Sequence, residues 1–148
     1  MSQRFHPWKH AGEVYPHVTI SCRHELPERV WGLQRGHMIW LCRRLDQVRR
    51  RCTLTHELIH LERGAPILVD AAARAREERT VSELAARRLI PLSALVDAYR
   101  WCPAGHVAEL ADELWVDHPT LRARLANLDP VEVAELENAL DGEWLWIP

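Results

Sequence analysis

Residues 47–63, QVRRRCTLTHELIHLER, restrict the fold more than any other stretch of the chain. They carry helical periodicity, Asp46 stands where it can cap their start, and Gly64 and Pro66 stop them. With His56 at zero on a helical wheel, Val48, Cys52, Thr55 and Ile59 fall on one flank. Leu54, Leu58 and Leu61 fall on the other. A helix that is apolar on two flanks is buried between layers. His56 and His60 lie on the strip between those flanks.

What surrounds this helix sets the fold class. The first fifteen or so residues read as irregular, with Pro7 and Pro16. His17 to Arg23 is β-branched and partly alternating, which predicts a strand. Val30 to Gln34 and Met38 to Cys42 flank Arg35-Gly36-His37, a hairpin with Gly in the turn. These segments predict a small antiparallel sheet. After the central helix, Asp70 caps a second long helix, Ala71 to Ile90, ended by Pro91. Shorter helices follow over Ser93 to Trp101, His106 to Trp115, Thr120 to Leu128 and Pro130 to Leu140. The tail Trp144-Leu145-Trp146 is expected to fold back onto the body. Strands first and helices after argue for an α+β fold.

A chain of 148 residues suits one domain and can bury a real core without staples. Residues 1–102 carry net charge +6 and residues 103–148 net charge −8. The reading is a core over 1–102 with an acidic helical extension over 103–148 packed on it. No apolar run approaches the ~20 residues that cross a membrane, and the first residues lack an apolar signal region. The expected location is the cytoplasm. Cys22, Cys42, Cys52 and Cys102 form no CxxC pair, so they are read as reduced, mostly buried small hydrophobes.

His56-Glu57-Leu58-Ile59-His60 has the H-E-x-x-H spacing on a predicted helix. Residues i and i+4 share a helical face, so two imidazoles can converge on one ion. Glu57 is turned to the side, where its carboxylate can take a proton from a water activated by zinc. A catalytic zinc wants a third protein ligand and an open fourth position. No third His follows at metzincin spacing, so a carboxylate on the next helix is required. Asp70, Glu77, Glu78 and Glu83 are the candidates. Ala71, Ala75, Val81, Ala85 and Leu89 all lie within about 60° of Glu78 on the wheel. Glu78 thus sits in the middle of a small-residue, core-facing stripe, with Glu77 on its edge and Glu83 pointing away. Glu78 is preferred, and Glu77 is second. Tyr99, His37 and His106 are the candidates for stabilising charge on a reacting carbonyl oxygen.

CTLTHELIHLERG, followed by REERTVSELAARRLIP, resembles the ImmA/IrrE-type metallo-endopeptidases of bacteria, their phages and mobile elements. That family shows an H-E-x-x-H helix, then E-x-x-A-x-x-FAA-x-LL-x-P. Leu84 to Pro91 is similar to the end of the second motif. Glu78 falls where the family's zinc-binding Glu stands, and Val81 where its Ala stands. The likeness covers about residues 15–128. Val81, Leu84 and Arg87-Arg88 depart from the pattern, and these departures bear on substrate preference. The resemblance implies a gluzincin-like core with zinc on His56, His60 and Glu78 and Glu57 as general base. It also implies a protein substrate, a helix-turn-helix repressor of phage, mobile-element or stress genes.

Two other readings compete. HVAELADELWVDHPTLRARL resembles a helix-turn-helix, with Thr120 to Leu128 as reading helix. DNA binding rests on phosphate neutralisation, and this region is net negative with only Arg122 and Arg124 on the reading helix. Nucleic acid is therefore not the expected partner. Arg43-Arg44 and Arg49-Arg50-Arg51 read as solvated basic clusters or, less favoured, as a dock for an acidic segment. The remaining reading is a metal-binding protein that sequesters a regulator without cleaving it.

Overall fold

The computed structural model describes residues 4–64 and 70–141. In chain order its elements are α1 (Pro7–Val14), β1 (Thr19–Ser21), β2 (Gly32–Arg35), β3 (Met38–Leu41) and α2 (Gln47–Arg63). Then come α3 (Ala71–Leu89), α4 (Leu92–Trp101), α5 (Val107–Leu114), α6 (His118–Ala126) and α7 (Pro130–Ala139). The order is the α+β arrangement that the sequence predicts, a small sheet and then a helical half. The expectation for Trp144-Leu145-Trp146 lies outside the described residues. No helix among the described residues is long and apolar enough to cross a membrane.

Two features of the N-terminal elements differ from the sequence reading. The first residues are not irregular: Pro7 opens α1 at its first position, and His6 Nδ1 accepts the Lys9 N–H at 3.3 Å. Proline is well tolerated there, because its missing N–H has no helical partner anyway. The sheet is mixed, not antiparallel. Its strand order is β1-β3-β2. The hairpin β2–β3 is antiparallel around Gly36, whose φ is +56°. Strand β1 pairs parallel with β3, with Thr19 opposite Met38 and Ser21 opposite Trp40. The reason is topological. The chain reverses once between β1 and β2 and again at the hairpin. A third strand laid beside β3 instead of β2 is then parallel to it. The long link before β2 is fastened by Arg43 N–H to His24 O at 2.9 Å and Cys42 N–H to Trp31 O at 2.8 Å.

Helix α2 lies between layers, as its two apolar flanks require. Leu54 and Leu58 pack with Ile39 and Leu41 of β3 and with Ala11 of α1. Ile59 packs with Val81 and Ala85 of α3. Cys52 joins the largest cluster, with Leu89, Leu95, Leu110, Leu121 and Leu136. Each large aliphatic side chain so buried contributes about 1.5–3 kcal/mol. Asp46 Oδ1 accepts the Arg49 N–H at 2.8 Å, and Gly64 ends the helix at φ +78°.

Arginines tie the later helices to this body. Arg51 is not part of a solvated basic cluster: only 7% of it is exposed. Its guanidinium donates to Trp115 O at 2.6 Å and to Phe5 O at 3.1 and 3.2 Å. The carbonyls at the end of α5 lack helical partners, and Arg51 supplies one. Arg124 of α6 is 2% exposed. It donates to Ile90 O at 2.8 Å and grips both oxygens of Glu132 at 3.0 and 2.5 Å. Arg87 of α3 reaches Glu132 at 3.1 Å. The Glu132 carboxylate also accepts the Asp129 N–H at 3.2 Å, completing a capping box on α7. Of the two arginines on the would-be reading helix, Arg124 is thus buried in an ion pair.

Glu132 therefore joins α3, α6 and α7, and Arg124 holds its carboxyl down at about 2, against an ordinary 4.5. Replacing it leaves a buried guanidinium unpaired, so Glu132→Ala is expected to cost about 3 kcal/mol in urea unfolding. A depressed carboxyl stabilises fully above its unfolded pKa and loses that contribution as pH falls through the folded one. Wild-type stability is expected to fall between pH 4.5 and 2, with the Glu132→Ala curve flatter over that window.

Candidate metal centre

The strip that α2 leaves uncovered faces a cleft. His56 and His60 stand on it one turn apart, their rings 4.9 Å apart and each side chain about a quarter exposed. Helix α3 crosses the strip and delivers Glu78. One carboxylate oxygen of Glu78 lies 3.1 Å from His56 Nε2, and the other lies 2.9 Å from His60 Nε2. Ligand atoms from the three residues lie within 4.8 Å of one another. Donors around a tetrahedral ion at about 2.0–2.2 Å stand roughly 3.3 Å apart. Two imidazoles and a carboxylate at these separations could hold one metal ion, with one side open to the cleft.

The other carboxylates on α3 have other duties. Both oxygens of Glu77 take the Arg63 guanidinium, at 2.6 and 3.0 Å. Asp70 Oδ1 caps α3 through the Ala73 N–H at 2.6 Å. Glu83 pairs with Arg87 at 3.6 Å. The helical phase that points to Glu78 is observed, but the burial inferred for it is not. Val81, Ala85 and Leu89 are buried, whereas Ala71, Ala75 and Glu78 are exposed. The first turns of α3 overhang the cleft, so the stripe leaves the core just where Glu78 stands. Glu78 is 58% exposed, which suits a group that meets an ion from solvent.

Glu57 occupies a different environment. It is 7% exposed, and burial, followed by the Glu78 charge, pushes its carboxyl up to about 7. Burial holds the His56 imidazole below its ordinary range, with the Glu78 charge acting the other way. Neutral imidazole is the form that ligates metal. Sequence reasoning missed the residue that faces Glu57. A Cβ on Gly32 would stand 2.6 Å from Thr53 Cγ2 and 2.8 Å from a Glu57 carboxylate oxygen. Only glycine lets β2 come this close to α2. The signal was available, since a glycine inside a strand pattern marks a close backbone approach.

The cleft has a volume of about 700 Å³. Strand β2 forms one wall, α2 and α3 the floor, and Asp117, Thr120 and Ala123 at the start of α6 the opposite wall. Of the three candidates for stabilising charge on a carbonyl oxygen, none lines it among the described residues. Tyr99 is buried in the main core, His37 stacks edge-on against His17 at 4.7 Å, and His106 precedes α5.

Two outcomes follow from this geometry. Glu78→Ala is expected to abolish stoichiometric metal binding in elemental analysis of the purified protein, whereas Glu77→Gln keeps it. Gly32→Ala is expected to lower unfolding stability by about 1–3 kcal/mol, the range for overpacking. It should leave metal content intact, because the collision falls on Glu57 and not on the histidines.

No family model, curated protein or solved structure matches the chain.

Proposed function

We propose that the chain is a zinc-dependent metallo-endopeptidase that hydrolyses a peptide bond of a protein substrate. One observation carries this reading. A His56–His60–Glu78 donor set and a buried carboxyl from the same helical turn, Glu57, line a single cleft. His56, His60 and Glu78 would hold the ion, and nitrogen and carboxylate ligands with an open position suit catalytic zinc. When bound, zinc polarises a water and a substrate carbonyl. Glu57 takes the proton of the attacking water on its carboxylate and returns it to the departing amine.

The edge of the sheet supports a peptide as substrate. Trp31 and Cys42 are joined by a hydrogen bond, so alternation turns the N–H and C=O of Gly32 and Gln34 toward the outer edge of β2. An extended peptide can add to such an edge through main-chain hydrogen bonds. That would bring its backbone past Gly32 and hence past Glu57. The likeness of the α2 and α3 segments to ImmA/IrrE-type enzymes supports a regulatory substrate, a repressor-like protein of a phage or mobile element.

The test is Glu57→Gln in the zinc-loaded protein. It is expected to keep one zinc per chain and to lower peptide-bond cleavage by about 10²–10⁴-fold, the usual contribution of a positioned acid–base group. Cleavage of mixed peptides by mass spectrometry reads the rate, and elemental analysis reads the metal. A biological effect that survives Glu57→Gln would instead mark the chain as a zinc-dependent capture protein.

A further inference from the structure

We infer that Arg29 determines the specificity of the cleft by taking an acidic side chain of the bound peptide. The inference rests on the proposed peptidase reading for its substrate and on separate observations for its residue. Arg29 lies on the mouth of the cleft, just before β2. Its side chain is exposed and makes no hydrogen bond or ion pair among the described residues. What sets it apart from the other exposed arginines is its place: among the described residues, Arg29 and Arg74 are the arginines that line the cleft, Arg74 on α3 and Arg29 at the β2 end.

The backbone at this position makes the choice of residue informative. Val30 N–H closes a turn onto Pro27 O at 3.0 Å. Glu28 and Arg29 are its central residues, and Arg29 has φ +66°. A positive φ at the third position alone is the type II pattern, where glycine is the standard occupant. An L side chain there costs roughly a factor of ten in conformer population. The other non-glycine residues with positive φ have a local account. Trp115, at φ +56°, ends α5 and gives its carbonyl to Arg51. Asp141, at φ +50°, follows α7 and belongs to a residue type that tolerates this region. For Arg29 nothing among the described residues uses the side chain that the backbone is strained to carry. Strain of this kind is concentrated where it serves a ligand.

The geometry names the ligand chemistry. Gly32 abuts Glu57, and Arg29 is three residues upstream in the turn that leads into β2, at most about 10 Å of chain away. A peptide added to the edge of β2 with its reacting bond at Gly32 therefore brings a residue two to four places away under Arg29. The guanidinium is a rigid fork that matches a carboxylate. Trp31 and Leu33, 46% and 36% exposed, offer apolar surface on the same rim. The acidic groups of the cleft do not compete at this end: Glu77 is held by Arg63, Glu78 by the histidines, Asp117 caps α6 through the Thr120 N–H, and Glu57 is buried.

Three measurements on the full chain test the assignment. In the first, the zinc-loaded protein is incubated with a proteome-derived peptide library, and cleavage sites are read by mass spectrometry. Asp and Glu are expected to be enriched at least fivefold at one position two to four residues from the cut bond. Arg29→Gly is expected to abolish that enrichment, and Arg29→Glu to replace it with Lys and Arg. In the second, the same library is passed over zinc-loaded Glu57→Gln protein with and without Arg29→Gly, so that binding is read without turnover. Acidic peptides should be retained only where Arg29 is present. In the third, Arg29→Gly is expected to raise the melting temperature by about 3 °C, because it relieves the turn. Cleavage without an acidic preference, a preference that persists in Arg29→Gly, or a glycine variant no more stable than wild type would overturn the role of Arg29. Selective binding with no cleavage by the wild type would sustain Arg29 and sink the peptidase reading instead.

Discussion

A helix buried on both flanks has one strip left for polar side chains, and in α2 that strip carries His56 and His60. The constraint is strict because each flank meets a different partner. Leu54 and Leu58 are locked against β3, and Ile59 against Val81 and Ala85. Rotating α2 by even part of a turn would expose one set and drive the imidazoles into the other. The histidine pair is therefore oriented by hydrophobic packing that has nothing chemical about it. Preorganisation of this kind is what a ligand set needs, since side chains on rigid elements hold position better than those on loops.

The carboxylates show how one cleft separates roles by environment. Glu78 and Glu57 sit close enough that the charge of one raises the pKa of the other. Glu78 is exposed and faces two imidazoles, while Glu57 is buried against a glycine. An exposed anion between two histidines suits a cation. A desolvated carboxyl tuned toward neutrality suits proton transfer. The difference arises from the overhang of α3 on one side and the approach of β2 on the other.

The sequence exposed these features unevenly, for physical reasons. Helical periodicity reports angle, so it placed His56, His60 and Glu78 on meeting faces. It does not report how far a helix extends past its support, so Glu78 was misread as core-facing. Local pattern marked the hairpin at Gly36 but not the neighbour of β1, because strand pairing across the sheet is a long-range choice. Pro7 looked like a breaker, although a proline at the first helical position is a start. Arg51 looked like one of three solvated arginines. Its burial depends on carbonyls from Phe5 and Trp115, which no local window contains. Gly32 was readable as a close approach, but what it approaches is set only in three dimensions.

The acidic segment after residue 102 bears on the site through those same long-range contacts. Arg51 holds Trp115 O, and Cys52 Sγ accepts the Asp117 N–H at 3.4 Å. Both grips lie about one turn before His56 on α2. They fix the link between α5 and α6, and with it Asp117 and Thr120 on the far wall of the cleft. The Arg124–Glu132 pair then fastens α6 to α7, while Arg124 also holds the end of α3 at Ile90. The helix that supplies two histidines and the helix that supplies Glu78 are thus each tied to the segment that closes the cleft. Opposite net charges on the two halves of the chain favour their association in general. The buried arginines add the specificity, because a desolvated guanidinium is stable only where its partners stand in one arrangement. The width of the cleft is for that reason set by contacts outside it.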